Sequence, residues 1–399
     1  MVELELSIMF TNEDAVEALR QALQEFEKLY RIRVRLRVLA WEAAWSELVR
    51  VALYRSGPDL SEVGTTWIDS FVSMNALRQF EPRELSTLGG AAAFLLPSWR
   101  SGAMLGQTQV WAVPWLTDTR VIYYRRDLLQ NSGIDEQTAF ASLDRLAQTL
   151  QRLQESGVAM PLAIPTAHKQ TTLHLLAPWV WQAGGHFTSA DGRRVQFSEP
   201  SARKGIKAYF DLRRFLTPPA RNLTDSQTGD LFRQGKAAVI ISGHWLLKTV
   251  QQLGATDEVM SNLGVTMIPE VPYVGGSNLV VWKHSRQAEA AITLARYLTG
   301  QQVQKVITDN GLLPARLAVL NDPPFTTDPH YQVIGESLKK GRGFQATYMW
   351  GLIEDKLTSM LVKLWAMLLA DPALSTDEAI AQYLDPLARE LNQSLASYG

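Results

Sequence analysis

Tryptophan stands beside short polar side chains at several places where predicted strands end. An indole ring offers a flat apolar face for the C–H groups of a polyol and one N–H donor. Asp, Asn, Glu and Thr side chains supply the acceptors and donors that hydroxyl groups need. These residue types therefore predict a site for a neutral, polyhydroxylated ligand. The segments at predicted strand ends that carry tryptophan, polar side chains or both are 11–13, 65–69, 114–118, 243–245 and 275–278.

The 12 tryptophans do not all have the same expected role. We expect core packing for the five that lie within apolar segments, namely Trp99, Trp179, Trp181, Trp282 and Trp365. Four others lie near glycine or charged turn residues, and for these core packing and ligand stacking are equal alternatives: Trp67, Trp115, Trp245 and Trp350. Trp41 and Trp45 lie four residues apart on one predicted helix face, so we expect at most one of them to reach a ligand.

The sequence contains no complete catalytic motif. The segment 341–346 matches G-x-G-x-x-A but follows a lysine-rich helix end rather than a strand, and 275–279 lacks the final glycine of a nucleophile elbow. The sequence has no P-loop, no HExxH and no cysteine, and no two of its 6 histidines are spaced i, i+4. We therefore expect no catalytic residues, no metal and no cofactor. With 40 acidic residues, a glycosidase-like carboxylate pair stays open as an alternative.

Charge and hydrophobicity exclude other classes of protein. The 39 basic and 40 acidic residues give a net charge of −1, which argues against nucleic-acid binding. Four alternating arginines at 31, 33, 35 and 37 are therefore interpreted as a solvated strand face.

A hydrophobic content of 46% excludes global disorder. No apolar run reaches 18 residues and the first six residues do not form a signal peptide, so we expect a soluble chain whose leader, if it is exported, has been removed.

Strand and helix patterns alternate from the start of the chain. An apolar strand over 4–10, an amphipathic helix capped at 11–14 and an alternating strand over 31–38 predict a βαβ unit. Such an opening indicates an α/β fold with crossover connections. Further strands are predicted at 60–63, 110–115, 121–124, 237–241 and 279–282, and helices at 67–80 and 288–298. The absence of a Pro/Gly/Ser linker indicates that two domains, if present, are joined by strands.

One long segment and five shorter ones resemble a known family. The most specific is Phe232-Arg233-Gln234-Gly235-Lys236-Ala237-Ala238-Val239-Ile240-Ile241-Ser242-Gly243-His244-Trp245, similar to F-x-x-G-K-A-A-M-x-x-x-G-x-W. The five supporting segments, in order along the chain, are Gly57-Pro58-Asp59, Ala112-Val113-Pro114-Trp115 with Tyr123-Tyr124-Arg125-Arg126-Asp127-Leu128, Gly184-Gly185, Gly275-Gly276-Ser277-Asn278, and Gly311-Leu312-Leu313-Pro314-Ala315. Together they resemble a family 1 extracellular solute-binding protein, the sugar-binding component of an ABC importer. His244 stands where the family often has proline.

The resemblance implies a two-lobe, periplasmic-binding-protein-like fold of type II, with a ligand cleft between lobes and a multi-strand hinge that closes on the ligand. The expected N-terminal lobe is 1–115 with 265–314, and the expected C-terminal lobe is 116–264 with 315–399. On this expectation the chain crosses between lobes near 116–118, 265–270 and 313–316.

The resemblance also implies a set of ligand contacts. Trp245 is expected to stack on a sugar ring, with Asn12, Glu13, Asp69 and Asp118 as hydroxyl partners. Gly276, Ser277 and Asn278 are expected to line the cleft from the hinge side, and Trp350 to close it. The remaining expected contacts are Trp41, Trp67, Trp115, His174 and Arg316.

The implied partners are a mono- to oligosaccharide and the membrane permease of an ABC transporter, with the protein a periplasmic or extracellular monomer and a lipid anchor as one alternative. A glycerol-phosphate or glycerophosphodiester binder of the same fold, a glycan-active enzyme and a sensor ectodomain remain open as alternatives.

Overall fold

The computed structural model describes residues 2–347 and 349–397. Contacts between Cα atoms divide the chain into two compact units. Unit 1 comprises the described part of Met1–Asp118 together with Val274–Gln332 and Gly343–Gly351. Unit 2 comprises Thr119–Tyr273, Val333–Arg342 and the described part of Leu352–Gly399. This grouping assigns 265–273 to unit 2 and 315–332 to unit 1, whereas the predicted lobe boundaries assign these two segments the other way round.

Strands and helices alternate along both units. The strands are β1 (Val2–Met9), β2 (Ile32–Leu39), β3 (Leu60–Gly64), β4 (Val113–Arg125), β5 (Leu162–Ala163), β6 (Val239–Gly243), β7 (Leu263–Met267), β8 (Val274–Val281) and β9 (Leu313–Pro314). The helices up to residue 182 are α1 (Glu13–Tyr30), α2 (Trp41–Tyr54), α3 (Ile68–Ser73), α4 (Pro82–Thr87), α5 (Leu96–Ser101), α6 (Arg126–Asn131), α7 (Leu143–Glu155) and α8 (Lys169–Gln182). The later helices are α9 (Pro200–Phe210), α10 (Asp225–Arg233), α11 (Trp245–Leu253), α12 (Asp257–Asn262), α13 (Ala288–Leu298), α14 (Gln301–Asp309), α15 (Pro329–Lys340), α16 (Trp350–Ala370), α17 (Thr376–Ala379) and α18 (Asp385–Ser397). Short 3₁₀ segments occur at Ala91–Ala93, Asp211–Phe215, Pro218–Ala220 and Leu317–Asn321, and a π-helical turn at Ile380–Leu384.

Unit 1 is built on a mixed sheet. Its strand order is β2-β1-β3-β8-β4, with β9 also paired to β4. β1 pairs in parallel with β2 and β3, whereas β3 pairs antiparallel with β8. One face carries a buried cluster that includes Leu4, Leu6 and Phe26, and the other carries a cluster that includes Val63 and Trp282.

Unit 2 is built on the second half of β4. β4 pairs antiparallel with β6 through Arg120–Tyr124 and with β7 through Val121–Arg125, and β5 pairs in parallel with β6. Val121, Ile122 and Tyr123 are completely buried, as expected for a central strand. The boundary between the units falls within β4, because Asp118 belongs to unit 1 and Thr119 to unit 2.

The prediction of a βαβ unit at the start of the chain is confirmed. Asn12 is the N-cap of α1, and its side chain accepts from Ala15 N–H at 2.9 Å.

Three element predictions were wrong. The predicted helix over 67–80 ends at Ser73, and Asn75 adopts a left-handed φ of 53° just beyond it. The separate strands at 110–115 and 121–124 are one strand, β4. β8 begins at Val274, so 276–278 lie inside a strand rather than beside one.

Candidate functional site

Three tryptophans form a partly exposed aromatic surface on unit 1, here called the Trp67 cluster (Trp41, Trp45 and Trp67). The ring centroids of Trp41 and Trp45 lie 6.2 Å and 5.5 Å from that of Trp67, both edge to face. Trp41 and Trp45 are 41% and 38% exposed, and Trp67 is half-buried. Exposed tryptophans are unusual on a soluble surface, and grouped ones mark a binding site. Both Trp41 and Trp45 reach solvent, and the expectation that at most one of them reaches a ligand stays a prediction.

Local sequence places Trp67 at this surface. β3 ends at Gly64, and α3 begins one residue after Trp67. The indole folds back over the strand end, so that a Cβ at Gly64 would lie 3.2 Å from the Trp67 ring. The strand-to-helix turn therefore fixes one face of Trp67 against the backbone.

Asp69 lies two residues beyond Trp67 and is 1% exposed. Its Oδ2 accepts a hydrogen bond from the backbone N–H of Gly351 at 3.1 Å, in the first turn of α16. Its Oδ1 is buried and has no hydrogen-bond partner among the described residues. Burial raises the pKa of Asp69 to about 6, although backbone N–H donors including that of Gly351 oppose the rise. A buried carboxylate oxygen without a partner is uncommon in a folded protein, which makes Asp69 Oδ1 a candidate acceptor for a ligand hydroxyl.

Trp350 begins α16 beside this carboxylate. Its ring is 1% exposed and packs on Phe344 with centroids 4.9 Å apart. Within the described residues, neither Trp350 Nε1 nor the buried Thr347 Oγ1 has a hydrogen-bond partner. A donor and a hydroxyl thus remain unsatisfied in the same loop-to-helix segment that holds Asp69.

The predicted segment 276–278 has mainly structural contacts. Gly276 has a φ of 128°, and a Cβ there would lie 2.2 Å from the carbonyl oxygen of Leu116, so only glycine fits. Ser277 donates from Oγ to Glu62 Oε1 at 2.6 Å. Asn278 donates from Nδ2 to Ser101 Oγ at 2.9 Å and is completely buried.

The other predicted contacts of unit 1 are dispersed. Trp115 is 2% exposed and belongs to the core cluster of Leu4 and Phe26. Arg316 lies 4.9 Å over the Phe94 ring and donates to the carbonyls of Thr299 and Leu88, and burial lowers its pKa. These two residues have structural roles in unit 1. Glu13 is exposed in the first turn of α1, and Asn12 and Asp118 are half-buried.

Unit 2 carries a second aromatic group, here called the Trp245 cluster (Arg120, His174, Trp245 and Tyr273). The Arg120 guanidinium carbon lies 4.7 Å from the Trp245 ring centroid and 5.9 Å from that of Tyr273. The His174 ring stacks on Tyr273 at 4.2 Å with 13° between the planes. Arg120 Nη2 lies 3.3 Å from His174 Nδ1. Because a guanidinium only donates, Nδ1 accepts this bond and the neutral ring carries its proton on Nε2.

Trp245 is half-buried at the first turn of α11, directly after the last residue of β6 and His244. In unit 1 the structure thus brings Trp41 beside Trp67, and Asp69 beside the first turn of α16 that Trp350 begins, so three chain segments contribute. In unit 2 it brings Arg120 beside both His174 and Trp245. Sequence reasoning did not select Trp45, Arg120, Tyr273 or Glu62 as site residues. The i, i+4 spacing of Trp41 and Trp45 was a usable signal for Trp45, whereas no local pattern distinguishes Arg120 from other arginines.

The part of the chain that the structure describes contains no candidate metal site and no candidate membrane-spanning helix. Among residues 2–347 and 349–397, no group of three or more His, Asp or Glu side chains could hold a metal ion. Over the same residues, every helix is too short or too polar to cross a bilayer.

Comparison with known proteins identifies the family. The family model for bacterial extracellular solute-binding proteins matches residues 11–305. The chain belongs to this family. The resemblance inferred from the sequence segments is therefore confirmed, and the family is one of extracellular binding proteins rather than of enzymes.

Relatives of this solute-binding protein share moderate identity with it. The diacetylchitobiose binding protein DasA of Streptomyces coelicolor is 21% identical over 307 residues, covering 74% of this chain and 69% of its own length. A mannitol-binding protein of Pseudomonas aeruginosa is 27% identical over 252 residues, covering 59% of this chain and 54% of its own length. The chain thus matches about half of the length of the second relative.

Solved structures confirm the fold of this solute-binding protein. The sugar-binding protein MalE from Xanthomonas citri superposes with a TM-score of 0.84 at 20% identity, covering 100% of this chain and 98% of that one. At this identity the likeness establishes the fold alone. The predicted periplasmic-binding-protein-like α/β fold is confirmed.

Proposed function

We propose that this solute-binding protein binds a carbohydrate outside the cytoplasm and delivers it, chemically unchanged, to the membrane permease of an ABC importer. The observation that carries the proposal is the Trp67 cluster, whose Trp41 and Trp45 indoles reach solvent, together with Asp69 two residues after Trp67, whose buried Oδ1 has no hydrogen-bond partner among the described residues. Stacking on a ring and accepting from its hydroxyls are the two contacts that carbohydrate recognition combines.

The relatives support a carbohydrate or polyol ligand. They are named as binding proteins for diacetylchitobiose, for mannitol and, in a relative from Pyrococcus abyssi, for maltotriose. These three compounds share dense hydroxyl groups and differ in ring count. They are therefore suitable probes for the ligand class of this chain.

Within the proposal, each unit supplies its own set of contacts. Trp41, Trp67, Asp69 and Trp350 are the contacts proposed for unit 1. His174 and Trp245 are those proposed for unit 2. That one ligand contacts both units, with Asn12, Glu13 and Asp118 as further hydroxyl partners, remains a prediction from the family resemblance. Separate Trp67→Ala and Trp245→Ala variants test the two units independently.

A melting-temperature panel tests the ligand class. Diacetylchitobiose, maltotriose, mannitol and glycerol 3-phosphate are each added in excess. A ligand at a hundred times its Kd adds about 2.7 kcal/mol of stability, which is a measurable rise in melting temperature. A rise with glycerol 3-phosphate alone would favour the glycerol-phosphate alternative. Rises with none of the four compounds would contradict the proposed ligand class.

Two controls test the site and the absence of catalysis. Trp67→Ala should remove the ligand-dependent rise, whereas Tyr54→Ala, which deletes a 76% exposed aromatic ring on α2, should keep it. Ligand recovered after incubation with an equal amount of protein should be chemically unchanged. Cleaved or modified ligand would instead support the glycan-active enzyme.

Delivery to a permease and the monomeric state are tested separately. Deleting the gene in its source cell should abolish uptake of the radiolabelled ligand identified by the panel. Sedimentation of the purified protein should give a mass near 44.6 kDa if it is a monomer. A lipid anchor remains a further alternative that mass spectrometry of the native protein resolves.

A further inference from the structure

Glu62 is a buried carboxylate at the centre of the unit 1 sheet. It lies on β3, between β1 and β8, and is 1% exposed. Its Oε2 accepts a hydrogen bond from the backbone N–H of Met9 at 2.7 Å. Its Oε1 accepts from Ser277 Oγ at 2.6 Å. One side chain therefore connects the two strands on either side of its own.

The connection occurs where the backbone ladder between β1 and β3 has ended. These strands pair only through Leu6 with Leu60 and Ser7 with Ser61, although β1 continues beside β2 as far as Met9. Beyond Ser7 the Glu62 carboxylate provides the next link from β3 to β1. It holds the N–H of the last β1 residue, three positions before Asn12.

The same carboxylate also acts on the β8 side. Ser277 follows Gly276, whose carbonyl oxygen accepts from the backbone N–H of Thr65 at 3.1 Å. Thr65 comes two residues before Trp67. Glu62 thus holds the last residue of β1, after which the chain continues to Asn12, and Ser277 within β8, next to the Gly276 carbonyl that binds Thr65.

Both protonation states of Glu62 can satisfy these partners. Among the described residues, no Lys, Arg or His nitrogen lies within 4 Å of the carboxylate, and burial raises its pKa to about 7. The ionised form accepts from Met9 and Ser277, as the distances show. The protonated form can still accept from Met9 and donate to Ser277, because a serine hydroxyl is both donor and acceptor. The link therefore persists when the charge is lost.

We propose that Glu62 is a positioning residue of the ligand site, which fixes the end of β1 and the 276–278 part of β8 so that the site segments keep their geometry. The part concerning the ligand rests on the proposed carbohydrate-binding function. The role in positioning the strand ends is independent of any ligand.

Amide hydrogen exchange tests the positioning role without ligand. Glu62→Met keeps the length of the side chain and removes both hydrogen bonds, so peptides covering 9–12 should exchange at least tenfold faster. Glu62→Gln should remain close to the wild type, since its amide can accept from Met9 and donate to Ser277. Gln304→Leu is the matched control, because Gln304 is also completely buried and links two backbone segments, Trp115 O and Ala315 N. It should leave exchange at 9–12 unchanged.

The ligand part is tested by calorimetry with diacetylchitobiose, maltotriose and mannitol. For a probe that the wild type binds, Glu62→Met should weaken affinity about tenfold or more, and Glu62→Gln should restore it to within about twofold. If Glu62→Met does not fold, Ser277→Ala should show the same changes in smaller degree. Unchanged exchange at 9–12 in the folded variants would overturn the positioning role. Binding of no probe by the wild type would defeat the proposed function and leave the exchange result standing.

Discussion

The indole of Trp245 lies directly on the backbone of Gly243, the last residue of β6. A Cβ added at Gly243 would come within 2.2 Å of the Trp245 ring. The glycine is therefore required by close approach of the side chain two residues later. Gly64 and Trp67 show the same arrangement in unit 1, where the Cβ distance would be 3.2 Å. In each unit, a strand-final glycine allows a tryptophan at the following turn to fold back onto the strand.

The first prediction concerns this pair in unit 2. Trp245→Ala should weaken ligand binding by about 2 kcal/mol or more, as loss of a buried aromatic anchor does. Gly243→Ala should weaken binding as well, because the added methyl group must displace the indole. Calorimetry measures both affinities, and the melting temperature without ligand is the control. A large loss of melting temperature with unchanged affinity would make Trp245 a core residue.

The second prediction concerns Arg120, which lies 4.7 Å from the Trp245 ring centroid. A planar guanidinium stacks on an aromatic face, whereas an ammonium group interacts as a point charge. Arg120→Lys should therefore lower affinity by roughly 0.5–2 kcal/mol, the range of cation–π energies, by loosening Trp245 and the bond to His174. Affinity equal to that of the wild type would show that Arg120 does not position the indole.

The third prediction is a pH dependence of ligand affinity from Asp69, whose pKa is raised to about 6. A ligand hydroxyl donates more strongly to the ionised form, so binding should lower this pKa. Affinity should therefore rise as pH increases from 5 to 7 and level off above 7. Asp69→Asn should remove the rise and cost about 1.5–3 kcal/mol at pH 7, the range for hydrogen bonds to charged groups.

Titration calorimetry of the same probe at pH 5, 6 and 7 measures this dependence. Glu17→Gln, which alters an exposed acid on α1, is the matched control and should keep the wild-type profile. An Asp69→Asn variant that retains the full pH profile would remove Asp69 from the site.

The fourth prediction concerns stability and Glu62, whose pKa is raised to about 7 from an ordinary value of 4.5. Between these values the folded protein binds a proton that the unfolded chain has released. The stabilisation is complete below about pH 4.5 and is lost as pH rises through about 7, by roughly 1.4 kcal/mol per pH unit. The Glu62→Gln variant has no carboxyl group at this position, so its free energy of unfolding should lack this fall with pH.

Denaturant unfolding from pH 5 to 8 measures this effect as the difference between the wild type and Glu62→Gln. The free energy of unfolding of the wild type should fall relative to that of the variant as pH rises. Parallel curves would show that Glu62 has no raised pKa in the folded protein.

The sequence by itself determined the family and the local elements. The order of five short segments identified the solute-binding family, and alternation and helical periodicity located β2 and α13 to within a residue. The capped start of α1 within 11–14 also followed from local sequence, since Asn12 accepts from the N–H of Ala15 three residues later. Such features depend on contacts within a few positions, and these are present in the order of the residues.

Only the tertiary structure decided which of the candidate residues are buried and which stay partly exposed. Trp67 and Trp115 have similar neighbours in sequence, but Trp115 is enclosed by core residues and Trp67 remains half-buried. Asp69 obtains its partner from Gly351, 282 residues later, and Glu62 obtains Ser277 from 215 residues later. The burial that raises the pKa of these two acids comes from the packing of distant segments. No local pattern in the sequence contains that information, because exposure and hydrogen bonding at these sites arise from contacts between elements far apart in the chain.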